Sequence, residues 1–135
     1  YDLFGYILEK QLYSEVQSIP QKDGRRIEHL KKALEKIEAS YSECLTLVDL
    51  AMEAGMNSKY FCRYFREMTH RTPIDYLNYY RIEQACFRLA TSNDPIAEIG
   101  LSCGFNDVSY FIKTFKKYKG ITPKKYLSTP LPQQI

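Results

Sequence analysis

The sequence predicts an all-α protein: two helix-turn-helix subdomains joined by a long linking helix, with an extra amphipathic helix in front. Three observations predict it. Apolar residues recur at three- and four-residue spacing along most of the chain. One layout occurs twice, as GMNSKYFCRYFREMTHRTPIDYL from Gly55 and GFNDVSYFIKTFKKYKGITPKKYL from Gly104. Basic residues gather at the same place in both copies.

The first helix is expected from Tyr1 to Ile19, where Phe4, Ile7, Leu8, Leu12, Val16 and Ile19 form a wide apolar stripe that Pro20 ends. Gln21 to Gly24 reads as a polar linker. The second helix places Ile27, Leu30, Leu34, Ile37 and Tyr41 on one face and Glu28, Lys31, Lys32, Glu35, Lys36 and Glu38 on the other. Thr46 then caps a short helix, LVDLAMEA, which Gly55 ends. Asn57 or Ser58 caps the next helix, which runs to about Thr69. From Ile74 to about Ala90 one helix carries Leu77, Tyr80, Ile82, Ala85 and Leu89 inward, and its length of roughly 25 Å makes a rigid spacer. Asn93 or Asp94 caps IAEIGLSC, with Pro95 early in the helix. Gly104 ends it, Phe105 follows, and Asn106 or Asp107 starts the last long helix.

The duplication holds residue by residue. Leu47, Leu50, Gly55 and Asn57 match Ile96, Ile99, Gly104 and Asn106 at a constant offset of 49. One residue is gained in the turn, and Tyr60, Phe61, Phe65, Thr72, Pro73, Tyr76 and Leu77 match Tyr110, Phe111, Phe115, Thr122, Pro123, Tyr126 and Leu127 at 50. In each copy the first helix braces the second, through Leu47, Leu50 and Ala51 or through Ile96, Ile99 and Gly100. The second helix buries Phe61, Phe65 and Met68, or Phe111, Phe115 and Tyr118.

Charge follows the repeat. Residues 1–40 balance seven basic against seven acidic side chains, so the net charge of +3 lies downstream. There, acidic blocks (Glu43, Asp49, Glu53; Asp94, Glu98) alternate with basic ones (Lys59, Arg63, Arg66, Arg71; Lys113, Lys116, Lys117, Lys119, Lys124, Lys125). Two cationic surfaces in register with a repeat point to two contacts with a polyanion; solvated helix faces are the plain alternative. The stripes opposite the buried phenylalanines are Ser58, Lys59, Cys62, Arg63 and Arg66, and Val108, Ser109, Ile112, Lys113 and Lys116. Ser58, Lys59, Cys62, Arg63, Val108, Ser109, Ile112 and Lys113 are the candidates for reading bases. Arg63 and Lys113 suit guanine acceptors, and Val108 and Ile112 suit thymine methyls. Thr46, Asn57, Arg66, Asn106, Asp107, Lys116, Lys117 and Lys119 are the candidates for phosphate.

The region from about Ile27 to Leu127 resembles the DNA-binding domain of the AraC/XylS-type transcription regulators of bacteria. The resemblance is carried by IAEIGLSCGFNDVSYFIKTFKKYKGITPKKY and by the spacer TPIDYLNYYRIEQACFRLATSNDPI. It implies a seven-helix domain that places two recognition helices, about 57–69 and 107–118, in successive major grooves, roughly 34 Å apart. Two residues depart from the family pattern. Leu127 stands where arginine is usual, and Gly100 where alanine is usual, at an expected cost of about 1 kcal/mol to its helix. The chain divides into residues 1–24 (a helix and linker, the end of an effector or dimerisation domain), 25–91 (the first subdomain and linking helix), 92–129 (the second subdomain) and a tail, 130–135. The chain begins with Tyr rather than Met, which fits a fragment of something longer.

The expected partners are double-stranded DNA, RNA polymerase, and a second copy of the chain, paired through Tyr1 to Ile19 or through the missing domain. That first stripe could equally pack on the helix from Ile27 to Tyr41. A cytoplasmic location is expected, without membrane contact, since no apolar run approaches the ~20 residues of a bilayer span and no signal peptide is visible.

Two other function classes remain. An enzyme would need a nucleophile-base-acid grouping, a phosphate loop or metal-ligand spacing, and none is found. His29 and His70 are isolated and read as surface or capping residues. Cys44, Cys62, Cys86 and Cys103 form no C-x-x-C pair and read as reduced thiols in or near a core. Some DNA-repair methyl acceptors carry a similar domain. Cys62, beside Lys59, Arg63 and Arg66, is therefore also readable as a reactive thiol. No cofactor is expected. A helical protein-interaction module would explain the amphipathic helices, but not two basic stripes in register with a repeat.

Overall fold

The computed structural model describes residues 21–128, with side chains from Arg26 onward. Among these residues it has seven α-helices and no strand: α1 (Gln21–Ser40), α2 (Leu47–Glu53), α3 (Ser58–Thr69), α4 (Pro73–Thr91), α5 (Ile96–Ser102), α6 (Val108–Lys119) and α7 (Pro123–Ser128). The helix expected from Tyr1 to Ile19 lies outside the described residues. None of the seven is long and apolar enough to cross a membrane.

Two buried clusters organise the fold. The first joins Leu30, Leu34 and Ile37 of α1 to Leu50 of α2, Phe61 and Phe65 of α3, and Tyr76 and Leu77 of α4. The second joins Ile82, Ala85, Cys86 and Leu89 of α4 to Ile99, Cys103, Phe105, Phe111 and Phe115. Helix α4 serves both, because its 19 residues bury one end on the first motif and the other on the second. Its first turn is prepared by Thr72, whose hydroxyl accepts from the Asp75 N–H, and by Pro73 at the first helical position.

The repeat in sequence is a repeat in packing. Phe61 lies edge-on to Phe65 at 5.5 Å, and Phe65 to Tyr76 at 5.7 Å. Phe111, Phe115 and Tyr126 repeat that chain at 5.9 and 5.5 Å. These T-shaped contacts suit the ring quadrupole and lock α3 on α4 and α6 on α7.

Three local expectations are corrected. Gln21 to Gly24 is the first turn of α1 rather than a linker, since Gln, Lys and Asp are tolerated in a first turn and one glycine there costs only about 1 kcal/mol. Neither Asn93 nor Asp94 caps α5: Pro95 holds the cap position with φ −59°, and no side chain bonds the exposed N–H groups. Gly100 is not a weak point. A methyl group there would stand 2.7 Å from Cγ of the Phe111 ring, so the absence of a side chain lets Phe111 reach the core.

The other caps follow the sequence. Thr46 and Asp49 form a reciprocal capping box on α2. Asn57 caps α3 through the Tyr60 N–H, and Asp107 caps α6 through the Ser109 N–H. His29 caps the other end of α2, its Nδ1 2.8 Å from the Ala54 carbonyl. A carbonyl only accepts, so Nδ1 carries the proton. His70 closes α3 in the left-handed region at φ 64°, where the second copy has Gly120 at φ 81°.

Candidate nucleic-acid interface

The buried phenylalanine pairs fix which side of α3 and of α6 faces outward. On α3, Phe61, Tyr64 and Phe65 are buried, while Lys59, Arg63 and Arg66 are exposed and Ser58 and Cys62 half-buried. On α6, Phe111, Thr114 and Phe115 are buried, while Ser109, Ile112, Lys113, Lys116 and Lys117 are exposed and Val108 is half-buried. Lys59, Cys62, Arg63 and Arg66 line one open concavity with Glu67 and Thr72. The two stripes thus carry different chemistry. The first is cationic and polar; the second adds the aliphatic side chains of Val108 and Ile112 to its lysines.

The remaining phosphate candidates divide by what their side chains already do. The oxygens of Thr46, Asn57 and Asp107 accept backbone N–H groups as caps. Asn106 is exposed in the turn before α6. Lys119 departs from expectation: its ammonium lies 2.6 Å from the Glu83 carboxylate, with side chains only 26% and 11% exposed. Lys119 follows Phe115 by four residues, which sets it at the rim of the buried stripe. Arg71, counted with the first basic block, also turns inward. Its guanidinium sits 4.2 Å from the centre of the Tyr79 ring and 3.4 Å from the Asp75 carboxylate. Lys117 stays 69% exposed, with Asp75 at 3.8 Å.

Periodicity gave no sign of the residues that hold the two stripes relative to each other. Arg81 of α4 is buried, and it donates to the carbonyl oxygens of Tyr41 and Glu43 in the loop between α1 and α2. Burial lowers its pKa, but a guanidinium keeps its proton in a protein. Gly104, at φ 104°, lies directly against the Tyr41 carbonyl and the Arg81 side chain, so a side chain at 104 is excluded by space as well as by conformation. The loop of the first motif and the turn of the second therefore meet at one point. One turn earlier on α4, Asn78 donates to the Tyr110 hydroxyl at 3.0 Å, and near the start of the helix Tyr118 donates its hydroxyl to the Asp75 carboxylate. Burial first, and that bond second, push the Tyr118 phenol up. Burial also pushes the Cys86 thiol from 9.0 up to about 11, and Tyr126 beside it up to about 12.

Comparison with known proteins agrees with this geometry. The profile of a family described as a helix-turn-helix domain matches residues 50–129. An uncharacterised HTH-type transcriptional regulator of Bacillus subtilis, YdeC, is 34% identical over 72% of this chain and 33% of its own length. The chain spans less than half the length of that relative and of YisR, another B. subtilis regulator, of which it covers 44%. An AraC-type regulator structure from Chromobacterium violaceum is 28% identical and superposes with a TM-score of 0.68 over 74% of this chain and 89% of its own. The DNA-binding domain of AdpA, solved with a target DNA, gives 28% identity and a TM-score of 0.69 over 73% of this chain and 89% of its own. With a family profile over more than half its length, and the same paired helix-turn-helix fold, the chain belongs to the AraC-type family of DNA-binding transcription regulators.

Proposed function

We propose that this domain reads double-stranded DNA with both recognition helices, α3 and α6, in successive major grooves on one face of the duplex. The observation that carries it is the pair of outward stripes, equivalent by the repeat and each backed by phenylalanines buried against the shared helix α4. Arg63 pairs with guanine and Lys113 donates to guanine acceptors, while Val108 and Ile112 pack on thymine methyls. Arg66, Lys116 and Lys117 neutralise phosphates, which adds affinity without reading sequence. Lys119 is left out, because Glu83 holds its charge. The first half-site is then read mainly by hydrogen bonds and the second partly by apolar contact, so the two blocks of an operator differ in composition.

The test is selection from a random duplex library at two salt concentrations, for the parent, Arg63→Ala and Lys113→Ala. The expected result is a motif of two blocks about one helical turn apart, with each variant blurring one block only. Salt-sensitive binding without a motif would overturn specific readout by these two helices.

A further inference from the structure

Asp75, Asn78, Tyr79, Ile82, Glu83 and Cys86 recur along α4 at intervals of three and four residues, which places them on one side of the helix. Ile82 and Cys86 enter the second cluster. The three polar residues each take a partner on α6: Asp75 takes Tyr118, Asn78 takes Tyr110, and Glu83 takes Lys119. These partners span α6 from its first turn to its last. The body of α4 is itself fixed to the first motif by Tyr76 and Leu77, both buried in the first cluster. Any movement of α6 along or around α4 therefore breaks at least one of the three bonds.

Apolar packing of Ile82, Ala85 and Cys86 on Phe111 and Phe115 holds the motifs together, but it is non-directional. Hydrogen bonds and ion pairs weaken steeply with distance and angle. Attraction comes from the core; the polar seam registers α6 along α4, and the Arg81–Gly104 contact fixes the turn before it.

We propose that Asp75, Asn78 and Glu83 are positioning residues that hold α6 at one fixed offset from α3 and so set the number of base pairs allowed between the two half-sites. This rests on the two-groove reading above. One inserted base pair moves the second block by about 3.4 Å and turns it by about 35°. A rigid pair of helices cannot follow that change, whereas a loosened pair can.

The experiment uses the two-block operator selected by the parent, and the same operator with one base pair inserted or deleted between its blocks. Affinities are compared for the parent, for Tyr118→Phe, and for the triple variant Asn78→Ala, Tyr118→Phe, Glu83→Gln. The parent should lose at least tenfold on either altered spacing and the triple variant less than threefold, with Tyr118→Phe between them. Residual dipolar couplings of the DNA-free proteins give a second readout. The two motifs of the parent should share one alignment tensor, and those of the triple variant should not. A merely stabilising seam would lower the melting temperature and leave the spacing penalty untouched. If the triple variant does not fold, Tyr118→Phe alone decides. A penalty equal to the parent's in the folded variant, or a shared tensor, overturns the proposal while the two-groove reading stands. A parent that selects no two-block operator overturns both.

Discussion

Arg81 donates through Nε to the carbonyl oxygen of Tyr41 at 2.7 Å, across 40 residues of sequence. Its terminal nitrogen reaches the Glu43 carbonyl at 2.8 Å. Arg81→Met keeps much of the stem but leaves both carbonyls without this donor. It should cost about 2–3 kcal/mol in urea denaturation. Arg81→Lys, with one compact ammonium in place of a planar fork, should recover only part of that loss.

Gly100→Ala tests the packing beneath Phe111. Helix propensity alone favours alanine by about 1 kcal/mol. The methyl group would instead meet the buried Phe111 ring, and overpacking should make the variant less stable by about 1–3 kcal/mol. A double-mutant cycle with Phe111→Leu should show coupling, the alanine costing less once the ring is gone.

His70→Gly should stabilise the protein by about 0.5–1 kcal/mol. The position has φ 64°, which costs a side chain what glycine avoids, and no bond to the imidazole is needed for the backbone turn. Thermal unfolding should move up by a few degrees. The reverse change in the other copy, Gly120→His, should move it down.

Lys116→Ala and Lys119→Ala separate two uses of the same residue type. Lys116 is exposed on the outward stripe, and its loss should flatten the salt dependence of DNA affinity by about one unit of slope. Lys119 is paired with Glu83, so its loss should lower stability and leave that slope nearly unchanged.

Stability should fall as pH rises above about 9. The Cys86 thiol titrates near 11 when folded and near 9.0 when unfolded, because burial disfavours the thiolate. Between those values the unfolded chain has released a proton that the folded chain still holds. The folded state is therefore disfavoured by up to about 1.4 kcal/mol per pH unit from this group. The contribution is complete below pH 9 and is lost as pH approaches 11. Cys86→Ala should remove that part of the slope in denaturation curves at pH 8, 9.5 and 10.5.

Features that depend on neighbours in sequence were legible in it. The four-residue spacing of Phe61 and Phe65, and of Phe111 and Phe115, gave the buried faces and hence the outward stripes. Thr46, Asn57 and Asp107 gave three helix starts. Features that depend on distant partners were not. Arg81 binds backbone carbonyls, which any residue supplies, so no pattern marks its partners. Asp75 and Tyr118 lie 43 residues apart, and Lys119 resembles Lys116 until Glu83 is placed beside it. The cap expected at Asn93 or Asp94 failed because Pro95, with its own ring setting φ, occupies the position instead.

The division of α4 between two cores has a consequence for how the chain is made. Synthesis runs from the N-terminus, and domains form as their residues emerge. Once α4 has left the ribosome, every helix of the first cluster is present. Ile82, Ala85, Cys86 and Leu89 then remain bare until Phe111 and Phe115 follow. A nascent chain stalled between Thr91 and Phe111 would display a folded half with an open apolar strip. That strip is what a chaperone would cover until α6 arrives.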